Sequence, residues 1–336
     1  MILIVYGTRP EFIKIKPLIR EMELRGLMFK TLFTGQHKDL IDYNATYNVS
    51  IYDSGKNRLD SIISACMNLK DEWFEGVTHI LVQGDTTSVV GMALAAMHRK
   101  IKVIHLEAGL RSNDTENPFP EENNRRIVTT IAEYHLCPTT DNKVNLILEN
   151  IDRHKVFVVG NTGLDNLLHL KESKRSEKYI LVTLHRRENH DNIDQWFEVI
   201  NDLAAKHTDY SFVLPLHPNP NVQKHRDLLE NVWVTDPMPH GTMMSYLMES
   251  ALVITDSGGL QEECSFLNKK CLVCRKATER PEALGITSHL VPTPEDLSRG
   301  FSHFLYDWEI EPVESPFGDG YASTRICDIF QELIYV

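Results

Sequence analysis

Residues 82–126 read VQGDTTSVVGMALAAMHRKIKVIHLEAGLRSNDTENPFPEENNRR. The short apolar runs at 80–82 and 101–106 have the length and composition of buried parallel strands. Between them, 86–96 has the pattern of a helix. Strand, helix, strand is the unit of a doubly wound α/β fold, and its ligands collect at the carboxyl ends of the strands. Two acids sit there: Asp85 after Gln83-Gly84, and Glu107 before Ala108-Gly109. A third acid, Glu121, follows the Pro-Phe-Pro break at 118–120. Asp at a helix start is most often an N-cap, although Thr86 or Thr87 can fill that position and leave Asp85 free. Carboxylates at strand ends suit general acid/base chemistry.

Working outward, the same unit recurs along all 336 residues, a length that predicts two domains. An apolar strand at 2–6 runs into the turn Gly7-Thr8-Arg9-Pro10-Glu11 and then a helix. That shape offers backbone N–H groups and a positive dipole end to an anion, with Arg9 and Lys14 adding charge. His37 follows the strand at 29–34. In the second half, a strand at 179–184 ends in His185-Arg186-Arg187, and one at 211–216 ends in His217. A strand at 251–255 ends in Asp256-Ser257-Gly258-Gly259, again a phosphate-binding shape. The expected domains are 1–168 and 169–318, joined by the charged segment at 171–178, with a last amphipathic helix in 319–336. Polar residues gather after strand ends in both halves, the pattern that two domains facing one cleft would produce.

Composition narrows the class. The chain is 42% hydrophobic and 24% charged, as in ordinary globular proteins, and its formal net charge is -12. That balance argues against nucleic acid or an acidic membrane as partner. The N-terminal apolar run is too short for a signal peptide and no run reaches membrane-span length, which points to a cytoplasmic protein with reduced cysteines. Cys271 and Cys274 have CxxC spacing but lie in a strand, where residues three apart face opposite sides, so two ordinary strand cysteines are expected. GxGxxG and the Walker loop are missing, which disfavours nicotinamide redox chemistry and P-loop phosphoryl transfer. The histidines lack HxxxH or HExxH spacing, and no metal is expected.

The motifs GTRPEFIK (7–14), TGQH (34–37), QGDTT (83–87), HLEAGLRS (105–112), PEENNRR (120–126), VGNTGLD (159–165), HRREN (185–189), HPNPNV (217–222), TDSGGLQEE (255–263), TERPEA (278–283) and FGDGYAS (317–323) occur in this order. The chain resembles the non-hydrolysing UDP-N-acetylglucosamine 2-epimerases over nearly its whole length. The resemblance implies a GT-B fold of two Rossmann-like domains, with the last helix crossing back to the first. It implies interconversion of UDP-GlcNAc and UDP-ManNAc without a cofactor, by loss of the C2 proton and of UDP to give a 2-acetamidoglucal, followed by re-addition. It also implies a homodimer.

By that resemblance Asp85, Glu107 and Glu121 are the catalytic carboxylates, with His185 and Lys14 acting beside them. Arg9, Arg111, Ser257, Gly258, Gly259, Glu263 and Arg280 bind the UDP sugar. Some bacterial members bind a second UDP-GlcNAc as an activator, and the matching positions are Gln36, His37, Arg58, Arg186 and His217. Asp39 departs from the residue those members tend to carry. The rival readings are an epimerase of a related UDP sugar, a hydrolysing epimerase, a GT-B glycosyltransferase and a non-catalytic UDP-sugar sensor.

Overall fold

The computed structural model describes residues 1–37, 45–49, 51, 58–116, 119–170 and 177–335, apart from the side chains of 58, 169 and 187. Asp39, most of the connection at 171–178 and the side chain of Arg58 therefore lie outside the described residues. The chain divides into two units. Met1–Asn166 with Gly318–Val336 forms unit 1, and Leu167–Phe317 forms unit 2.

Unit 1 is built on seven parallel strands: β1 (Ile2–Tyr6), β2 (Phe29–Phe33), β3 (Tyr47–Asn48), β4 (His79–Gln83), β5 (Lys102–Leu106), β6 (Tyr134–Cys137) and β7 (Val156–Val158), in spatial order 3-2-1-4-5-6-7. Its helices are α1 (Arg9–Leu24), α2 (Arg58–Met67), α3 (Thr87–His98), α4 (Glu121–Ile131), α5 (Thr140–Leu148) and the single turn α6 (Thr162–Asp165). Strand β1 shows why the sheet needs cover on both faces. Leu3 and Val5 belong to one apolar cluster, while Ile2, Ile4 and Tyr6 belong to another. An all-apolar strand is stable only between two helix layers.

Unit 2 repeats the plan with six parallel strands: β8 (Tyr179–Thr183), β9 (Ser211–Pro215), β10 (Trp233–Thr235), β11 (Ser250–Thr255), β12 (Cys271–Val273) and β13 (Ser288–Leu290), in order 10-9-8-11-12-13. Its helices are α7 (Ile193–Lys206), α8 (Pro220–Gln223), α9 (His240–Met248), α10 (Gly258–Phe266) and α11 (Pro294–Ser302). One core joins Trp196, Phe197, Phe212 and Phe301 to the inner faces of the strands. The final helix, α12 (Ala322–Leu333), is part of unit 1, where Ile326, Cys327 and Phe330 pack in the cluster holding Ile2 and Ile4. Asp165 accepts the backbone N–H groups of Ala322 and Ser323, so a carboxylate holds the start of α12. Both orders have the Rossmann signature, which reverses direction between β1 and β4 and again between β8 and β11.

All six cysteines are buried thiols with no disulfide between them. Burial pushes the thiols of Cys66, Cys137 and Cys327 up to about 12. No described helix is long and apolar enough to cross a membrane.

Three histidines on neighbouring strands are almost wholly enclosed: His79 in β4, His105 in β5 and His135 in β6. Desolvation lowers their pKa values to about 4, 4 and 3. A base depressed in the folded state stabilises the fold above its unfolded pKa of 6.5. That contribution is lost as pH falls from 6.5 toward 4 and 3. Glu11 works the other way: burial lifts it to about 7, so acidification through the same window favours the fold. Three histidines against one glutamate leave a net loss of about two groups, or roughly 4 kcal/mol between pH 6.5 and 5 at ~1.4 kcal/mol per unit. Calorimetry at pH 7, 6 and 5 is expected to show a falling Tm. A flat profile would mean that these rings are solvated.

Candidate active site

The acid-bearing site of unit 1 forms where β4, β5 and the first turns of α1, α3 and α4 end or begin. Strand pairing sets Gln83 beside Leu106, so Asp85 and Glu107 follow adjacent strand ends. Asp85 is not the cap of α3: Thr86 takes that role, its hydroxyl accepting from the Val89 N–H. This leaves the Asp85 carboxylate, about a quarter exposed, to bond Arg125 Nη2 at 2.6 Å. Asn124 Nδ2 donates to the Asp85 carbonyl at 2.7 Å. The helix that begins at Glu121 thus reaches the Asp85 loop one turn later.

Glu107 sits at φ +65°, a left-handed conformation that costs a non-glycine residue ~1–3 kcal/mol. Surroundings hold it there. Lys14 Nζ lies 2.5 Å from Oε1, and Gln83 Nε2 donates to Oε2. Gly109 follows at φ +85°, and a Cβ there would run into the Asn142 backbone, so the turn after Glu107 requires glycine. His105 is bonded through Nε2 to the Gly84 carbonyl at 2.8 Å. Since a carbonyl only accepts, Nε2 carries the proton and ties the β4 and β5 loops together. Glu121 contrasts with the other two acids. Its Oε2 is buried and has no hydrogen-bond partner among the described residues. Its neighbour Glu122 is fully committed, accepting from the Ser112 N–H, Arg125 and Arg126.

The anion-binding turn expected at Gly7 is a capping box. Thr8 caps α1, and the Glu11 carboxylate returns to accept from the N–H groups of Gly7 and Thr8. Thr86 also donates to Glu11. Arg9 is exposed at the helix start. Gln36 and His37 brace this region from β2. Gln36 Oε1 accepts from the Ser88 N–H at 3.1 Å, and His37 Nδ1 accepts from the Arg9 N–H at 3.4 Å.

In unit 2 the expected groups again follow strand ends. Ser257 caps α10 through its hydroxyl, with Gly258 and Gly259 as the first helical residues. His185 and His217, after β8 and β9, stack with ring centroids 5.3 Å apart and planes 16° apart. Desolvation lowers the pKa of His185, against the opposing pull of Asp256. Glu263 is bonded to His240 Nε2 at 2.8 Å.

Arg111 and Arg280, which the resemblance implies as ligand contacts, both have internal partners. The Arg111 guanidinium makes two bonds to Glu149, at 2.7 and 2.8 Å, and a third to Thr129. It pins the end of α5 to α4 from within. Arg280 is 5% exposed and bonds Glu262 and Glu279. Glu279 also holds Arg275, whose Nε binds Glu188 at 2.5 Å. This chain of alternating charges lies under the glycine turn, and a Cβ at Gly258 would meet the Arg280 guanidinium. Arg280 therefore shapes the turn from beneath.

Sequence reading passed over Arg125, Glu11 and Asp256. Arg125 stands one helical turn from Glu121, a spacing that alone could have marked it. Asp256, like Asp85, lies just past the carboxyl end of a strand. Among the described residues no cluster of three His, Cys, Asp or Glu is arranged to hold a metal ion.

Residues 23–331 match the family model described as UDP-N-acetylglucosamine 2-epimerase. The chain is 34% identical to the UDP-N-acetylglucosamine 2-epimerase of Campylobacter jejuni, with 98% of this chain and 96% of that one covered. It superposes on the crystal structure of UDP-GlcNAc 2-epimerase from Neisseria meningitidis bound to UDP-GlcNAc with a TM-score of 0.90, at 35% identity over 98% of this chain and 99% of that one. The Methanocaldococcus jannaschii UDP-GlcNAc 2-epimerase in complex with UDP-GlcNAc and UDP gives 0.83 at 30% identity, covering 98% and 99%. The glycotransferase of kitacinnamycin, at 13% identity and a TM-score of 0.63, shares the fold alone. The two Rossmann-like units are those of the GT-B class.

Proposed function

The chain belongs to the UDP-N-acetylglucosamine 2-epimerase family, and we propose that it interconverts UDP-GlcNAc and UDP-ManNAc by eliminating UDP and adding it back. The observation that carries this reading is the set of three acids in unit 1. Asp85 and Glu107 follow adjacent strand ends, and Glu121 opens the helix that grips Asp85 through Arg125. Inverting a carbon centre by proton transfer needs a base on one face and an acid on the other. One carboxyl group cannot serve both faces, so several are required.

Their environments differ in ways that suit divided labour. Glu107 is clamped between Lys14 and Gln83, and a fixed carboxylate can lie in line with a C–H bond. Glu121 has a buried oxygen with no partner of its own among the described residues, which suits a group not already committed to the protein. Breaking the C1–O bond leaves the electron pair on the β-phosphate oxygen. In unit 2, His185 and the N-terminus of α10 at Ser257-Gly258-Gly259 would stabilise that charge. Glu263, oriented by His240, is free to accept from a ribose hydroxyl through its second oxygen.

Proton NMR in deuterated water tests the scheme. With UDP-GlcNAc as substrate, deuterium is expected at C2 of both epimers as UDP-ManNAc accumulates. Release of free ManNAc would instead identify a hydrolysing enzyme. Absence of exchange at C2 would exclude elimination altogether.

A further inference from the structure

Asp256 is fully buried at the end of β11, next to the Ser257 cap of α10. A buried carboxylate is costly unless its oxygens are satisfied. Oδ2 accepts three bonds: the His185 N–H at 2.9 Å, the Arg186 N–H at 2.8 Å and Asn189 Nδ2 at 3.0 Å. These fold the loop after β8 around the carboxylate. Oδ1 has no such partner among the described residues; His185 Nδ1 faces it at 3.3 Å. The loop therefore fixes the carboxylate, and the carboxylate's remaining oxygen addresses one imidazole nitrogen.

We propose that Asp256 is a positioning residue for His185, holding the Nδ1–H tautomer and balancing the positive charge the ring acquires when a diphosphate group meets Nε2. The inference rests on the reading of His185 as a diphosphate contact. A neutral ring with its proton on Nδ1 presents only a lone pair at Nε2, which repels phosphate oxygen. Uptake of one proton from solvent turns Nε2 into a donor, and Asp256 makes the imidazolium tolerable in a half-buried site. Other groups facing the ring oppose this charge. Arg186 and His190 lower its affinity for a proton, and His217 stacks on its face. His190 donates Nε2–H to the His185 carbonyl at 3.0 Å. His217 accepts the Asn219 N–H at Nδ1, 3.2 Å away. Among these described neighbours Asp256 alone is an anion.

The geometry also dictates what an amide does here. Three donors converge on the Oδ2 position, so an Asn must place its oxygen there and its NH2 toward His185 Nδ1. That NH2 can only donate, which drives the ring proton to Nε2 and forbids the doubly protonated ring. In ¹⁵N NMR of the imidazoles, the wild type without ligand is expected to show His185 protonated at Nδ1, and saturating UDP to protonate Nε2 as well. Asp256→Asn is expected to show the proton at Nε2 in both states. It should lower kcat by about 10²-fold while changing KM less than about threefold. In a His185→Asn background the same substitution should change kcat less than about threefold.

Two results would overturn the proposal: a wild-type ring protonated only at Nε2, or an equal kcat loss from Asp256→Asn with and without His185. Full activity of His185→Asn alone would remove His185 from the reaction. The NMR result would still decide the Asp256–His185 pairing, which does not depend on turnover.

Discussion

Asp85→Asn, Glu107→Gln and Glu121→Gln are each expected to lower epimerase turnover by roughly 10²–10⁴-fold, the range for loss of a positioned general acid or base. Each amide keeps the shape of the acid and removes its proton transfer. The three should differ in their side effects. Glu107→Gln loses the ion pair with Lys14, so the clamp loosens while the strained backbone remains. Asp85→Asn leaves Arg125 facing an amide, but Arg125 keeps Glu122. Glu121→Gln disturbs no observed bond of the affected oxygen and should be the best folded of the three. UDP affinity is expected to stay within a few-fold of wild type in every case, because none of the three acids is proposed to contact the diphosphate. Steady-state rates with isothermal titration of UDP measure both quantities. Near-normal turnover in all three variants would refute the assignment.

Arg280→Met is expected to be the most destabilising single change in unit 2. Removing one partner from a buried charge network typically costs 3–5 kcal/mol, on the order of a 6–20 °C fall in Tm for a unit of this size. Glu262 and Glu279 are each about 2% exposed, and both would lose the Arg280 guanidinium, although Glu279 keeps Arg275. Adding Glu262→Gln and Glu279→Gln to Arg280→Met should recover part of the loss, because it removes the stranded charges. Calorimetry on the single and triple variants checks this. If Arg280→Met melts at the wild-type temperature, and the loss appears only in UDP binding, the residue contacts ligand after all.

Long elements with apolar faces were legible in the residues alone. The strand expected at 2–6 is observed at Ile2–Tyr6, and the helix expected within 319–336 is observed at Ala322–Leu333. Helix α4 was not legible. Its buried side carries Glu122, Asn124 and Arg125, so the apolar period that marks a helix is missing where the site needs charge. Strands β3 and β13, of two and three residues, exist by pairing with a neighbour and carry almost no local signal. The leucines at 164, 167 and 168 suggest one helix from the sequence, but the observed helix stops at Asp165 and a separate, tighter turn covers Leu168–Leu170.

Residues 80–126 alone determined two parallel strands with a helix between them and an acid after each strand. That followed from alternating apolar runs and turn residues, which act over a few positions. Whether Asp85 capped a helix was decided only by tertiary structure. Thr86 took the cap, and Arg125, forty residues away, bound the carboxylate. Likewise only packing could assign Arg111 and Arg280 to buried networks, or aim Asp256 at His185. A charged side chain reads the same in sequence whether its partner is a ligand or another residue. Its partners are chosen by distances in space, which local patterns do not encode.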